Sequence, residues 1–206
     1  MNTIITIGRQ FSSGGRELGQ NLAEKLGYAY YDKEIITQIV EHTEFSQEYV
    51  NQMVEGKSLR YFPVMYEQTL NVNVDFRIRQ MEQIISAQTN VIKEMALKSN
   101  CIIIGRCADY ILKELADEGQ IKLYRIFVYA DMDYRVKRCI EREHEGENLK
   151  EKNLIKEIKH IDRERGAYYN DYTLQTWGSK ENYDLCVNTT NIDLDTLAEG
   201  LAKAFQ

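Results

Sequence analysis

The sequence predicts an α/β domain built on a parallel sheet with helices on both faces, and three observations carry that prediction. Short apolar runs recur between amphipathic helical stretches, and one of them, Cys101-Ile102-Ile103-Ile104, is apolar at every position, as a strand covered on both faces must be. Strands that alternate with helices need crossover connections and therefore pair in parallel. The 206 residues include a single proline, Pro63, and no linker, repeat or low-complexity tract, so one body is expected.

Ile4-Ile5-Thr6-Ile7 opens the chain as an apolar strand running into a loop rich in glycine and serine, Gly8 to Gly15. Leu18, Leu22 and Leu26 with Ala23 then recur at helical spacing, and Gly27 stops that helix before the aromatic strand Tyr28-Ala29-Tyr30-Tyr31. A largely helical region runs from about Lys33 to Lys98, interrupted near Phe62 and Pro63 and at the polar run Asn71-Val72-Asn73. Ile78, Met81, Ile85, Ile92 and Met95 give its last helix one apolar stripe. After the strand at Cys101, the patterns predict a helix from Asp109 through Glu118, a strand from Leu123 to Tyr129 and a helix capped by Asp131 or Asp133 that runs to about Glu143. A charged helix from Leu149 to about Tyr169, a strand from Tyr183 to Asn188 and a helix from Leu194 to Phe205 complete the order.

The first loop has the composition of an anion site. Consecutive backbone N–H groups of a small-residue loop can curl around a phosphate at the positive end of the following helix. Gly14 and Gly15 permit the close approach, and Ser12 and Ser13 can add hydroxyl donors. The phosphate-loop pattern G-x-x-x-x-G-K-[ST] asks for lysine after its last glycine, where this chain has Arg16, a permanent cation able to reach phosphate bidentately. Glu17 stands where a magnesium-binding hydroxyl is expected. A plain strand-to-helix turn with two solvated first-turn charges would have the same composition.

Composition bounds the partners. With 26 Lys+Arg against 32 Asp+Glu the net charge is −6, which argues against nucleic acid and anionic membranes as partners and requires an anion site to be built from local clusters. Cys101, Cys107, Cys139 and Cys186 lie far apart with no C-x-x-C pair and read as reduced core thiols in the cytosol. With no apolar segment of membrane-spanning length and no leader pattern, a soluble, cytoplasmic protein is expected. His42, His144 and His160 show no metal-ligand spacing.

Ligands of such sheets bind beyond the carboxyl ends of the strands. Asp32-Lys33, Gly105-Arg106-Cys107-Ala108-Asp109, and Asp131 with the basic helix Arg135, Lys137, Arg138 and Arg142 all follow strands there. Each has a structural alternative; the charges of the basic helix interleave with Glu141 and Glu143 and read mostly as a solvated face. Asp162-Arg163-Glu164-Arg165 reads by itself as an exposed helix laced with ion pairs such as Lys159 with Asp162. Tyr168, Tyr169 and Tyr172 beside Trp177 read as packing, and Arg77 and Arg79 as either solvent-exposed or facing an anion.

Ile7-Gly8-Arg9-Gln10-Phe11-Ser12-Ser13-Gly14-Gly15-Arg16-Glu17-Leu18-Gly19, Tyr30-Tyr31-Asp32-Lys33-Glu34, Gly105-Arg106-Cys107-Ala108-Asp109 and Asp162-Arg163-Glu164-Arg165 before Tyr168-Tyr169 together resemble the cytidylate-kinase-like branch of the P-loop nucleoside monophosphate kinases. The resemblance covers nearly the whole chain and implies a P-loop NTPase-type three-layer α/β/α fold. It implies one kinase domain over 1–206, with a helical acceptor-binding insert at 33–98 and a helical lid at 135–172. It further implies transfer of the ATP γ-phosphoryl group to a nucleoside monophosphate, most plausibly CMP or a related pyrimidine nucleotide, with ATP and Mg2+ as cofactors and the metal ligands not indicated. Gln10, Ser12, Ser13, Gly14, Gly15, Arg16 and Glu17 correspond to the donor site, and Arg9, Asp32, Arg106 and Asp109 to the acceptor site. Arg106 resembles the arginine that clamps the acceptor phosphate, Asp32 an acidic group near the acceptor nucleoside, and Arg163 and Arg165, with Arg142, the lid arginines; Arg16, Arg163 and Arg165 are the catalytic candidates. Bacterial cytidylate kinases keep the loop lysine, whereas Gly14-Gly15-Arg16 replaces it here, which leaves the acceptor open.

Two alternatives stand beside this one: a kinase of a non-nucleotide small metabolite, and a nucleotide-binding regulatory protein with a degenerate loop. The partner implied by either kinase reading is a small-molecule phosphate acceptor. Pairing with a second copy through the helical insert to form a homodimer is left open.

Overall fold

A computed structural model describes residues 1–55, 71–142 and 151–205, and within them the side chains of 52, 55, 71–77, 151 and 152 are not described. The interruption expected at Phe62 and Pro63, together with Glu143 and His144, lies outside the described residues.

Five parallel strands form one sheet in the order β2-β3-β1-β4-β5: β1 Asn2–Arg9, β2 Ala29–Tyr31, β3 Cys101–Ile104, β4 Ile121–Tyr129 and β5 Leu185–Asn188. β1 is central, pairing Ile4 with Cys101 on one side and with Leu123 on the other. The period-two geometry of a strand then sorts its side chains between two cores. Ile5, Ile7, Ile102 and Ile104 face α1 (Gly15–Leu26) and α9 (Leu194–Phe205), meeting Leu18, Leu22, Ala198 and Leu201. Ile4, Cys101 and Ile103 face the other way, toward α2 (Glu34–Glu41), α3 (Gln47–Glu55), α4 (Asn71–Lys98) and the pair α5 (Ala108–Ile111) and α6 (Lys113–Asp117). The result is the three-layer α/β/α arrangement that the sequence predicts. A third, small cluster joins α7 (Met132–Arg142) to α8 (Glu151–Thr173) through Val136, Cys139, Leu154 and Ile158.

Three local expectations are corrected. The polar run Asn71-Val72-Asn73 is helical, part of α4, and a break lies between α2 and α3, where the Ser46 hydroxyl and carbonyl accept from Tyr49 N–H and Val50 N–H and so start α3. The helix expected from Asp109 to Glu118 is two short ones meeting at Leu112. The charged helix continues past Tyr169 to Thr173, whose hydroxyl bonds Tyr169 O at 2.7 Å. Gly27, with φ 66°, ends α1 as the sequence indicates. Among the described residues no helix is long and apolar enough to cross a membrane.

Candidate active site

The β1–α1 loop is held from four sides. Gln10 N–H donates to Val128 O at 2.9 Å, and its side-chain oxygen accepts from Ala130 N–H at 3.2 Å, which ties the loop to the end of β4. The fully buried Ser13 turns its hydroxyl to Gln10 O and Val128 O, and Ser13 O accepts from the buried Thr189 hydroxyl beyond β5 at 2.7 Å. Phe11 is bound through both its peptide groups, as described below. The hydroxyl of Ser13 is thus committed to main-chain carbonyls; the expected hydroxyl donor is a loop brace.

Ser12 and Gly14 both take left-handed backbone, φ 57° and 87°, and a Cβ at Gly14 would come within 2.8 Å of Leu194. The first intrahelical bond of α1 is Leu18 N–H to Gly14 O, so the amides of Gly15, Arg16 and Glu17 have no acceptor within the helix. Gly15 and Arg16 line a cleft of about 200 Å³ together with Gln10 to Gly14, Arg142, Glu157 and Arg165.

Four guanidinium groups, those of Arg9, Arg16, Arg106 and Arg165, interact electrostatically around the end of β1, where Asp32 pairs with Arg16 and lies 3.9 Å from Arg9. Burial first, then the neighbouring guanidinium groups of Arg165 and Arg106, lowers the pKa of Arg9 well below its usual value, while Asp32 opposes the shift. A guanidinium stays protonated at neutral pH, so Arg9 carries its charge in a buried position beside other guanidinium groups. Such a cluster is stabilised by an added anion. Arg16, on the wall of the first cleft, is paired with Asp32: its Nε lies 2.5 Å and its Nη2 3.3 Å from the carboxylate. Asp32, only 8% exposed, lines neither cleft and sits beneath Arg16 with Arg9 at 3.9 Å.

The turn after β3 is unusual. Gly105, Arg106 and Cys107 are consecutive left-handed residues with φ 68°, 58° and 53°, a conformation held by Gly105 N–H on Ile7 O and by the buried Gln88, whose amide donates to Arg106 O at 3.2 Å. Two non-glycine residues in this region store strain of the kind found at binding sites. The turn buries Arg106, with Nη1 on Val54 O at 3.2 Å, against a second cleft of about 490 Å³. Asp109, Asn51, Tyr168, Tyr169, Trp177 and Tyr183 also line that cleft; of the aromatic residues read as packing, all pack on the core, and Tyr168, Tyr169 and Trp177, but not Tyr172, face the cleft as well. Asp109 is buried and accepts the Tyr169 hydroxyl at 2.7 Å; burial pushes its carboxyl up to about 6. Burial likewise raises the Tyr168 and Tyr169 hydroxyls far above their usual range. Cys107 is buried and its thiol strongly raised by burial, as an inert core thiol is.

The two clefts share Arg9, Phe11, Arg16 and Arg165. Arg165 reaches this wall from α8, donating to Arg9 O at 3.3 Å with its guanidinium 5.6 Å over the Phe11 ring. Arg163 does not: it is exposed and lies 3.0 Å from His160 Nδ1, because two residues along a helix turn the side chain to another face. Glu17 is not turned into the first cleft but held by α7, accepting from Arg138 at 2.7 Å and from Arg142. Asp131 pairs with Asn188 across the β4 and β5 ends.

Arg135 corrects the solvated-face reading most sharply. Its side chain is 4% exposed and lies 2.5 Å from Asp162, so Asp162 finds its partner in α7 and not in Lys159 one turn back. Lys137 does face solvent, 3.8 Å from Glu141. Arg79 is exposed and lines neither cleft. Gln88, Thr189 and Arg135 carry no local sequence signal; only the packing of distant segments reveals them. Among the described residues no group of three or more histidine, cysteine or acidic side chains could hold a metal ion.

The model of the cytidylate kinase-like family matches residues 4–191. No curated protein sequence matches the chain. A solved structure of an uncharacterized protein from Eubacterium ventriosum is similar at 26% identity over 99% of this chain and 98% of that one, with a TM-score of 0.69. Shikimate kinase from Bacteroides thetaiotaomicron shares the fold at 14% identity and a TM-score of 0.54, over 98% of this chain and 97% of that one. Since the family model runs from the middle of β1 to just beyond β5, taking in both clefts and the sheet that carries them, this chain belongs to the cytidylate kinase-like family.

Proposed function

We propose that the protein is a phosphotransferase that moves the γ-phosphoryl group of ATP to a small phosphorylated acceptor, with a nucleoside monophosphate, CMP or a related pyrimidine nucleotide, as the leading candidate. Membership of a kinase-like family supports the reaction class. The observation that carries the reading is the common wall: an amide-lined cleft and an arginine-and-aromatic cleft meet at Arg9, Arg16 and Arg165. Phosphoryl transfer is mostly positioning and charge neutralisation, and in-line attack needs the attacking and leaving oxygens on opposite sides of the transferring phosphorus with cationic groups beside it.

In this reading the amides of Gly14 to Glu17 bind the donor phosphates, which the α1 dipole favours. Arg165 and Arg9 hold the transferring group, and Arg106 grips the acceptor phosphate, whose oxygen is already anionic and needs no strong base. Tyr168, Trp177 and Tyr183 on the second cleft would contact an acceptor ring. The chemistry of the first cleft suits a triphosphate, since the loop amides, Arg142 and Arg165 on its wall are all donors. For Mg2+ the described residues offer no dedicated set, since Glu17 is paired with arginines; the ion would supply charge neutralisation and would be held by ATP and water, with Glu157 as the acidic side chain on the cleft wall.

One observation favours a second reading, a kinase of a non-nucleotide metabolite. Asp32, the carboxylate expected beside an acceptor nucleoside, is held under Arg16 and lines neither cleft. Acceptor-dependent ADP formation, measured with CMP, UMP, AMP, GMP and dCMP in the presence of ATP and Mg2+, separates the two. Turnover with a pyrimidine monophosphate supports the first reading; no turnover with any of the five removes it. ATP binding without turnover on any acceptor would instead support a regulatory nucleotide-binding protein.

A further inference from the structure

Phe11 sits on the wall common to both clefts, and its two peptide groups are taken by charged side chains from two different helices. Its N–H donates to Asp162 Oδ1 of α8 at 2.7 Å, and its carbonyl accepts from Arg135 Nη1 of α7 at 3.2 Å. The same two side chains meet each other at 2.5 Å, with Arg135 4% and Asp162 15% exposed. The Phe11 ring packs onto the cluster of Val136, Cys139, Leu154 and Ile158, which fixes α7 against α8 beneath it. Neither Arg135 nor Asp162 lines a cleft, so neither touches a ligand bound there.

The residue after Phe11 explains what this ring of bonds does. Ser12 holds φ at 57°, a conformation that a serine adopts at a cost and keeps only when its surroundings over-determine it. Ser13 is fixed on the far side by its own hydroxyl and by Thr189; on the near side the fixing groups are Asp162 and Arg135. Released there, the Phe11–Ser12 peptide could relax toward ordinary backbone, and the amides that follow would lose their common direction. Preorganised donors stabilise charge because they need no reorganisation when it arrives.

We propose that Asp162, acting with Arg135, is a positioning residue that presets the β1–α1 loop for phosphate. Because Arg165 lies three residues further along α8, the same anchor sets that guanidinium against the loop. The inference rests on the reading of the loop as the ATP phosphate site.

Calorimetric titration with ATP, without acceptor, tests it alongside steady-state kinetics on D162A, D162N and the exposed-face control K137A. D162A is expected to weaken ATP binding tenfold or more and to lower kcat at least as much, with acceptor KM within threefold of wild type. D162N keeps an oxygen for the Phe11 amide but loses the ion pair, and is expected to fall between; K137A should match wild type. A purely structural role would lower Tm without moving ATP affinity or kcat of the folded protein. Wild-type binding of ATP with D162A, or D162N should D162A fail to fold, within twofold of it in affinity and kcat overturns this inference and leaves the donor-site reading standing. Wild-type protein that binds no ATP overturns both.

Discussion

Arg16 Nε lies 2.5 Å from Asp32 Oδ2, so the cation at the position where the loop pattern asks for lysine is directed across the sheet edge toward β2. Asp32 is buried enough that its charge needs that partner, and the pair places Arg16 on the wall between the clefts, 45% exposed and able to turn to either. If Arg16 neutralises charge on the transferring group, R16A should lower kcat on the order of a hundredfold while leaving KM for ATP within a few-fold. An unchanged kcat would remove Arg16 from the transfer step.

Arg106 is expected to act on the acceptor alone. R106A should raise acceptor KM at least about tenfold without altering KM for ATP, since a buried guanidinium that binds phosphate contributes roughly 1.5–3 kcal/mol per charged hydrogen bond. Equal acceptor KM values in R106A and wild type would mean that the second cleft does not grip an acceptor phosphate through this residue.

Gly105 tests the strained turn itself. A Cβ there would collide with the Arg9 guanidinium, and φ of 68° costs an alanine about 1–2 kcal/mol. G105A should therefore lower Tm by several degrees and displace Arg9, with acceptor KM rising. G27A, where φ is 66° but the Cβ meets open space, should lose stability by the backbone cost alone with kinetics unchanged. Identical kinetics in the two variants would contradict a role for the Gly105 approach.

The pH dependence of stability should carry the signature of Asp109. Its folded carboxyl, raised to about 6 chiefly by burial, is above the usual 3.8, so folding favours the protonated form. That contribution is fully present below about pH 4 and is lost as pH rises through about 6, where ionising the buried group costs roughly 3 kcal/mol. D109N, whose amide oxygen still accepts from the Tyr169 hydroxyl, should thus raise Tm relative to wild type more at pH 8 than at pH 4.5. A difference independent of pH would place the carboxyl in an ordinary environment.

Much of this was legible in the chain. The all-apolar run at Cys101 marks β3 as an interior strand, Gly27 marks the end of α1, and the glycines and serines after β1 mark a tight strand-to-helix turn in which Ser12 and Gly14 take left-handed backbone. Strand order was not legible, since β3 enters the sheet between β1 and β2 only through a long helical excursion. Arg135 was misread for a physical reason: its neighbours Lys137, Glu141 and Arg142 are exposed, and nothing local distinguishes the one charge that α8 covers. Asp32 and Glu17, expected in the acceptor and donor sites, line neither cleft, because each is held by an arginine whose reach depends on tertiary packing.

A structure determined with a non-hydrolysable ATP analogue and CMP together tests the central claim most directly. The account predicts triphosphate oxygens on the amides between Ser12 and Glu17 and the acceptor phosphate within hydrogen-bond reach of Arg106, with Arg9 and Arg165 between them. A loop from Ser12 to Arg16 that holds no anion, or an acceptor bound away from Arg106, would contradict it.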